Sequence, residues 1–119
     1  MKFYVAGSIE DRQYIKFVQK KLIASGHEIT RDWTANFKKD DCEESQRDIG
    51  GVEKCDAFLG MFRSNHRIYR GSLAELGAAI AYGKRVYVVG HAADDCVFVH
   101  HPLVTVFSTF REFWKEVIE

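Results

Sequence analysis

Three short, almost unbroken apolar runs constrain this chain more than any other feature: KFYVAG at 2–7, DAFLGMF at 56–62 and RVYVVG at 85–90. Runs so short, rich in Val, Phe and Tyr and bounded by Gly or polar residues, read as strands. Between them lie segments with helical spacing, such as Ile15, Val18, Leu22 and Ile23 within 11–25, a stretch followed by Gly26. Strands buried on both faces and alternating with helices build a parallel sheet, because parallel neighbours need crossovers and the crossovers cover the faces.

The remaining elements fill out that pattern. HEITRDW at 27–33 reads as a second strand, and Asp41 to Lys54 as a second helix weakened in its middle by Gly50-Gly51. Ser72 to about Tyr82 is a third helix, stopped by Gly83. A last strand comes from CVFVHH or from VTVFS, and TFREFWKEVIE closes the chain as an amphipathic helix. The expectation is one α/β domain over residues 1–119: an open, doubly wound, flavodoxin-like or Rossmann-like sheet of about five mainly parallel strands with helices on both faces. Ligands of such sheets bind beyond the carboxyl ends of the strands. That edge collects Gly7-Ser8, Asp32-Trp33, the segment 63–72 and Gly90-His91.

Lys plus Arg and Asp plus Glu both number 17, so the formal net charge is zero and nothing draws the chain to nucleic acid or to an anionic membrane. A small molecule is the expected partner. Cys42, Cys55 and Cys96 are odd in number and widely spaced, which argues against a disulfide framework and a thiolate metal site. The adjacent His100 and His101 point apart on extended backbone and have no suitably spaced carboxylate, so no metal is expected there. With no basic leader and no uncharged apolar run of about 18 residues, a cytoplasmic location is expected.

Within YRGSLAELGAAIAYG at 69–83 the helix body from Leu73 to Tyr82 carries one charge, Glu75. Two roles compete for it. Ser72 followed three residues later by Glu75 fits a capping box, in which each side chain satisfies a backbone amide at the helix start. Alternatively, a carboxylate held at the ligand edge, with the helix dipole favouring its ionised form, is suited to nucleophilic attack on a sugar carbon. Glycosyl transfer through such a nucleophile needs a second acid, about 5 Å away in retaining enzymes, to protonate the leaving group. Asp48, in QRDIGGVEKCDAFLG, is the candidate; a solvated helix residue paired with a neighbouring cation is the other reading.

FYVAGS at the start, RDI and CDAFLGMF in the middle, and RGSLAELGAAIAYGKRVYVVG after them resemble the nucleoside 2-deoxyribosyltransferase superfamily, which includes deoxynucleoside 5'-monophosphate N-glycosidases. Glu75-Leu76-Gly77-Ala78-Ala79 is the most specific block. The resemblance implies that Glu75 attacks C1' of deoxyribose, that Asp48 assists departure of the base, and that Tyr4 orients the nucleophile and crowds the 2' position. It also places Gly7 and Ser8 near the 5' end of the sugar and Asp32-Trp33 beside the base. Blander alternatives stay open: Tyr4 and Trp33 as core aromatics, Gly7-Ser8 as an ordinary turn. No cofactor is implied. A homodimer or higher oligomer is, with segment 97–102 lending residues to a neighbouring subunit.

The chain departs from both subgroups. Six residues before the nucleophile, where transferases carry an acid and the monophosphate hydrolases a serine, it has Tyr69, followed by Arg70, Gly71 and Ser72 as further substrate-edge candidates. Where the hydrolases place a phosphate-binding arginine in the first loop stands Glu10. Neither subgroup is matched; transfer to a second base is the leading expectation, hydrolysis the alternative, and a non-catalytic nucleotide sensor a third. A flavin-binding or phosphoacceptor module is disfavoured, since Asp56 opens its strand and the first loop lacks a Ser/Thr/Gly-rich cradle.

Overall fold

The computed structural model describes residues 1–35 and 42–119. Strand β1 (Lys2–Gly7) leads through a tight turn at Ile9–Asp11 into helix α1 (Arg12–Ala24), followed by β2 (Glu28–Ile29) and α2 (Cys42–Lys54). Then come β3 (Ala57–Met61), α3 (Arg70–Ala81), β4 (Arg85–Val89), a turn at Val97–His100, β5 (Val104–Phe107) and α4 (Phe110–Phe113), which continues as a wider-wound turn to Ile118. All neighbouring strands are parallel, in the order β2-β1-β3-β4-β5. This is the expected doubly wound architecture, with strand order reversing between β1 and β3. Among the described residues no helix is long and apolar enough to cross a membrane.

Right-handed crossovers put α1 on one face and α2 with α3 on the other, because the chain leaves β1 in one direction and returns past it in the opposite one. Successive residues of β1 report both layers. Phe3 packs edge-on against Phe113 of α4, whereas Tyr4 points to α2 and α3. Phe3 to Ala6 and Ala57 to Leu59 are wholly buried, which is why these strands lack the polar alternation of a half-exposed sheet.

The boundaries differ from expectation where side chains compete for the backbone. Strand β2 has only two residues, not seven. Beyond it Thr30 Oγ1 donates to the Gly51 carbonyl of α2 (2.7 Å), and Asp32 accepts from the Thr34 amide (3.0 Å), so the chain turns away from the sheet. The expected start of α2 at Asp41 lies outside the described residues; from Cys42 the helix runs through both glycines. VTVFS, not CVFVHH, supplies the last strand. Phe107 there joins an aromatic cluster with Tyr87 and Phe113, while Val97–His100 makes a turn that buries only Val99. At the end of α3, Gly83 adopts φ 72° and the amides of Gly83 and Lys84 bond back to Ile80 and Ala79 (2.9 and 3.0 Å). That left-handed cap is the stop the glycine predicts.

Candidate active site

Helix α3 begins at Arg70, two residues earlier than the sequence indicates, with Tyr69 as an N-cap that makes no side-chain cap. Ser72 is therefore inside the first turn, and its Oγ donates to the Gly7 carbonyl at the end of β1 (2.7 Å). This overturns the capping-box reading. The hydroxyl that would cap the helix instead docks it on the central strand, and Glu75 is turned toward the sheet.

There the Tyr4 phenol donates to Glu75 Oε2. No other hydrogen bond reaches the Glu75 carboxyl among the described residues. Burial pushes the Glu75 carboxyl up from 4.5 to about 7; the Tyr4 hydrogen bond opposes that rise and the nearby Asp48 charge adds to it. Tyr4 is fully buried, and desolvation together with the Glu75 charge holds its phenol firmly protonated, as a donor. Its ring stacks on Phe58 with centroids 6.0 Å apart, which fixes the direction of the hydroxyl.

Asp48 projects from α2, its side chain 25% exposed, with Oδ1 accepting from Arg31 Nε at 3.3 Å. Burial raises its pKa above the ordinary carboxylate value, while Arg31 pulls the other way. The structure thus brings Tyr4, Asp48 and Glu75 together from β1, α2 and α3. A partly buried acid of raised pKa beside a second, hydrogen-bonded acid is the arrangement in which one can carry a proton while the other is ionised.

The other sequence candidates have varied surroundings. Ser8 Oγ accepts from the Glu10 amide (3.3 Å) and caps the Ile9–Asp11 turn. At Gly7, an added Cβ would meet Ile15 Cδ1 at 2.7 Å. Trp33 is buried, its indole N–H spent on the Val5 carbonyl (2.7 Å), and exposed Asp32 closes its own turn. Tyr69 is buried, its hydroxyl bonded to both the amide and the carbonyl of Ser64 (3.1 and 3.0 Å). Arg70 and Gly71 are exposed at the helix start. Glu10 and Asp11 are both engaged by Arg67 (3.4 and 3.1 Å), which ties the first loop to the loop after β3.

Two groups on the sheet edge invite other chemistries. His91 lies 3.0 Å from both Asp94 Oδ2 and Ser108 Oγ, the spacing of a hydrolytic triad. Yet the Ser108 amide donates to Glu112 (3.1 Å), so a carboxylate occupies the place where an oxyanion would need a donor. Among the described residues no group of three or more His, Cys, Asp or Glu could hold a metal ion. His100 Nε2 contacts the Asp94 carbonyl (2.7 Å) and His101 Nδ1 accepts from the Leu103 amide (3.1 Å). A surface hollow of about 810 Å³ between α1 and the C-terminal helix, and one of about 600 Å³ beside Arg31, are not lined by Glu75. Electrostatics and hydrogen bonding, rather than hollow size, locate the candidate chemistry.

Arg31 and Glu44 are not among the sequence candidates, whereas Gly51 stands out there only as half of the Gly50-Gly51 pair. Arg31 bridges Glu44 and Asp48, and an added Cβ at Gly51 would lie 2.5 Å from Arg31 Cβ and 3.0 Å from Tyr4 Cδ2. One signal was available: Glu44 and Asp48 stand four apart on a helix, where like charges repel unless a cation sits between them.

No family model matches the sequence, and no curated protein matches it. Solved structures do. The CMP N-glycosidase BcmB of Clostridium botulinum aligns over 97% of this chain and 96% of its own, with TM-score 0.64 and 19% identity. A 2-deoxyribosyltransferase from Leishmania mexicana aligns over 74% of this chain and 63% of its own (TM-score 0.57, 22% identity). A conserved protein from Enterococcus faecalis V583 aligns over 98% and 96% (TM-score 0.66, 16% identity). The chain shares the fold of these proteins, the fold implied by the motif resemblance.

Proposed function

We propose that the protein cleaves the N-glycosidic bond of 2'-deoxynucleosides or their 5'-monophosphates by double displacement, transferring the deoxyribosyl group to another nucleobase. The observation that carries this reading is the Tyr4–Glu75 hydrogen bond with Asp48 beside it, a nucleophile and an acid on facing helices. With Oε2 held by Tyr4, Glu75 Oε1 is the attacking atom. The bond from C1' to the base nitrogen breaks as a C1'–Oε1 ester forms, and the base leaves with a proton from Asp48. In the second step the acceptor attacks C1' from the face the base vacated and gives its proton to Asp48, so the ester breaks and β configuration is retained.

Water as the acceptor is the second reading. It is favoured by the near-complete mutual overlap with the C. botulinum structure, whose name is that of an N-glycosidase, against the partial overlap with the transferase. One assay decides both points. Deoxynucleosides or their monophosphates are incubated with the protein, with and without a second free base, and products are separated chromatographically. New nucleoside establishes transfer; free base with deoxyribose or its 5-phosphate establishes hydrolysis. Acid-quenched protein should carry a deoxyribosyl adduct on the peptide containing Glu75, absent in Glu75→Gln. Normal turnover by that variant would refute the mechanism.

A further inference from the structure

Building on the proposed reaction, we infer that Arg31 is the positioning residue of the site: its guanidinium, clamped between Glu44 and Asp48 of α2, aims the Asp48 carboxyl at the leaving base while Glu44 shares its charge.

The backbone around Arg31 is tied on two sides. The Thr30 amide donates to the Phe3 carbonyl (3.0 Å) and Thr30 Oγ1 to the Gly51 carbonyl (2.7 Å), pinning the chain between β1 and α2. The arginine stem then lies against the bare Cα of Gly51, in space that any side chain at 51 would claim. From there the guanidinium reaches both carboxylates, Nη2 pairing with Glu44 Oε1 and Nε reaching Asp48 Oδ1 at 3.3 Å. Glu44 is the more buried of the two acids, with its side chain 8% exposed, and it also receives Arg47 (3.0 Å).

The division of contacts matters for an acid that must keep a proton. A short charge-assisted bond, at about 2.7–2.9 Å, would commit Asp48 to the ionised state. The longer Asp48 contact orients the carboxyl with less withdrawal of the proton, while Glu44 takes the closer pairing. Asp48 Oδ2 has no hydrogen-bond partner among the described residues and is the oxygen available to hold the proton. The charged and titratable groups around Asp48 are Arg31 after β2, Glu44 and Arg47 on its own helix, Tyr4 on β1 and Glu75 on α3. Among these, Arg31 and Glu44 act on the Asp48 proton in opposite senses.

The test follows the Asp48 carboxyl directly, by carbon-13 NMR titration of the intact protein, alongside kcat and KM with a deoxynucleoside. Arg31→Gln should move the Asp48 midpoint to higher pH and Glu44→Gln to lower pH. Arg31→Gln should also cut kcat about tenfold or more with KM changed less than about threefold, the signature of misplacement at the reacting atoms. Arg31→Lys should keep the midpoint near that of the parent yet leave kcat low, since an ammonium supplies charge without the planar fork. Shifts of the same sign in Arg31→Gln and Glu44→Gln, or a kcat for Arg31→Lys within twofold of the parent, would overturn the assignment. If Arg31→Gln does not fold, a Glu44→Gln midpoint that fails to drop overturns it alone. Absence of glycosidic cleavage by the parent protein would instead refute the proposed reaction, and the titrations would still decide the Arg31–Glu44–Asp48 linkage.

Discussion

The Tyr4 phenol on β1 donates to Glu75 Oε2 on α3 across 71 positions of sequence, and that bond is the carboxyl's only one among the described residues. A buried acid with one neutral donor is poorly solvated. It therefore weakens the fold at the pH where it would work, a relation that can be measured without any substrate.

Glu75 is held at about 7 in the folded protein against an ordinary 4.5. Below pH 4.5 both folded and unfolded chains carry the proton and the group has no effect on stability. Between 4.5 and 7 the unfolded chain ionises first, so stability falls as pH rises, and above 7 the loss is complete. The gap corresponds to at most about 3 kcal/mol, less the screening its partial exposure allows. Glu75→Gln removes this titration, so thermal melting at pH 4, 6 and 8 should show the variant gaining on the parent with each step. A constant difference would mean that the carboxyl is solvated like a surface acid.

Tyr4→Phe keeps the buried ring and deletes the donor. Without it the pKa of the Glu75 carboxyl rises further, and fewer molecules hold the ionised carboxylate that the proposed reaction needs at neutral pH. Catalytic efficiency at pH 7 should drop about tenfold or more, in line with loss of a charge-assisted hydrogen bond, and should partly recover toward pH 9. A pH–rate profile superimposable on the parent's would remove Tyr4 from the site.

Neighbouring glycines in α2 should respond in opposite directions. At Gly50 an added Cβ meets nothing within 4 Å among the described residues, so Gly50→Ala should stabilise the helix by up to about 1 kcal/mol. At Gly51 the same methyl would lie 2.5 Å from Arg31 Cβ and 3.0 Å from Tyr4, so Gly51→Ala should destabilise by about 1–3 kcal/mol and reduce activity. Urea midpoints of the two variants check this. Equal effects would contradict the close docking of α2 on Tyr4 and Arg31.

Asp48→Asn should slow release of a natural base by about a hundredfold or more, the range for a positioned general acid. A substrate whose leaving group departs without a proton, such as 4-nitrophenyl 2-deoxyriboside, should be far less affected. Equal losses on both substrates would assign Asp48 to binding rather than proton transfer.

Much of the framework is legible in local patterns. The runs at 2–7, 57–61 and 85–89 are strands because their residues have no polar face to offer water, and Gly83 ends α3 because it tolerates a left-handed turn. Expectation failed where a side chain found a distant backbone partner. Thr30 truncates β2 by bonding to Gly51, and Ser72, which reads locally as a cap, bonds to Gly7. The choice of 104–107 over 96–101 as the last strand rests on Phe107 meeting Tyr87 and Phe113, contacts no window of sequence contains.

By itself, then, the order of residues determined the alternation of strands and helices and the parallel sheet, since periodicity and chain connectivity act over a few neighbours. It also supplied Tyr4, Asp48 and Glu75 as candidates. Only the tertiary structure decided that Glu75 faces Tyr4 rather than its own helix start, and that Arg31 and Glu44 stand behind Asp48. Burial and Coulomb interactions depend on distance in space, and those distances exist only after β1, α2 and α3 have packed.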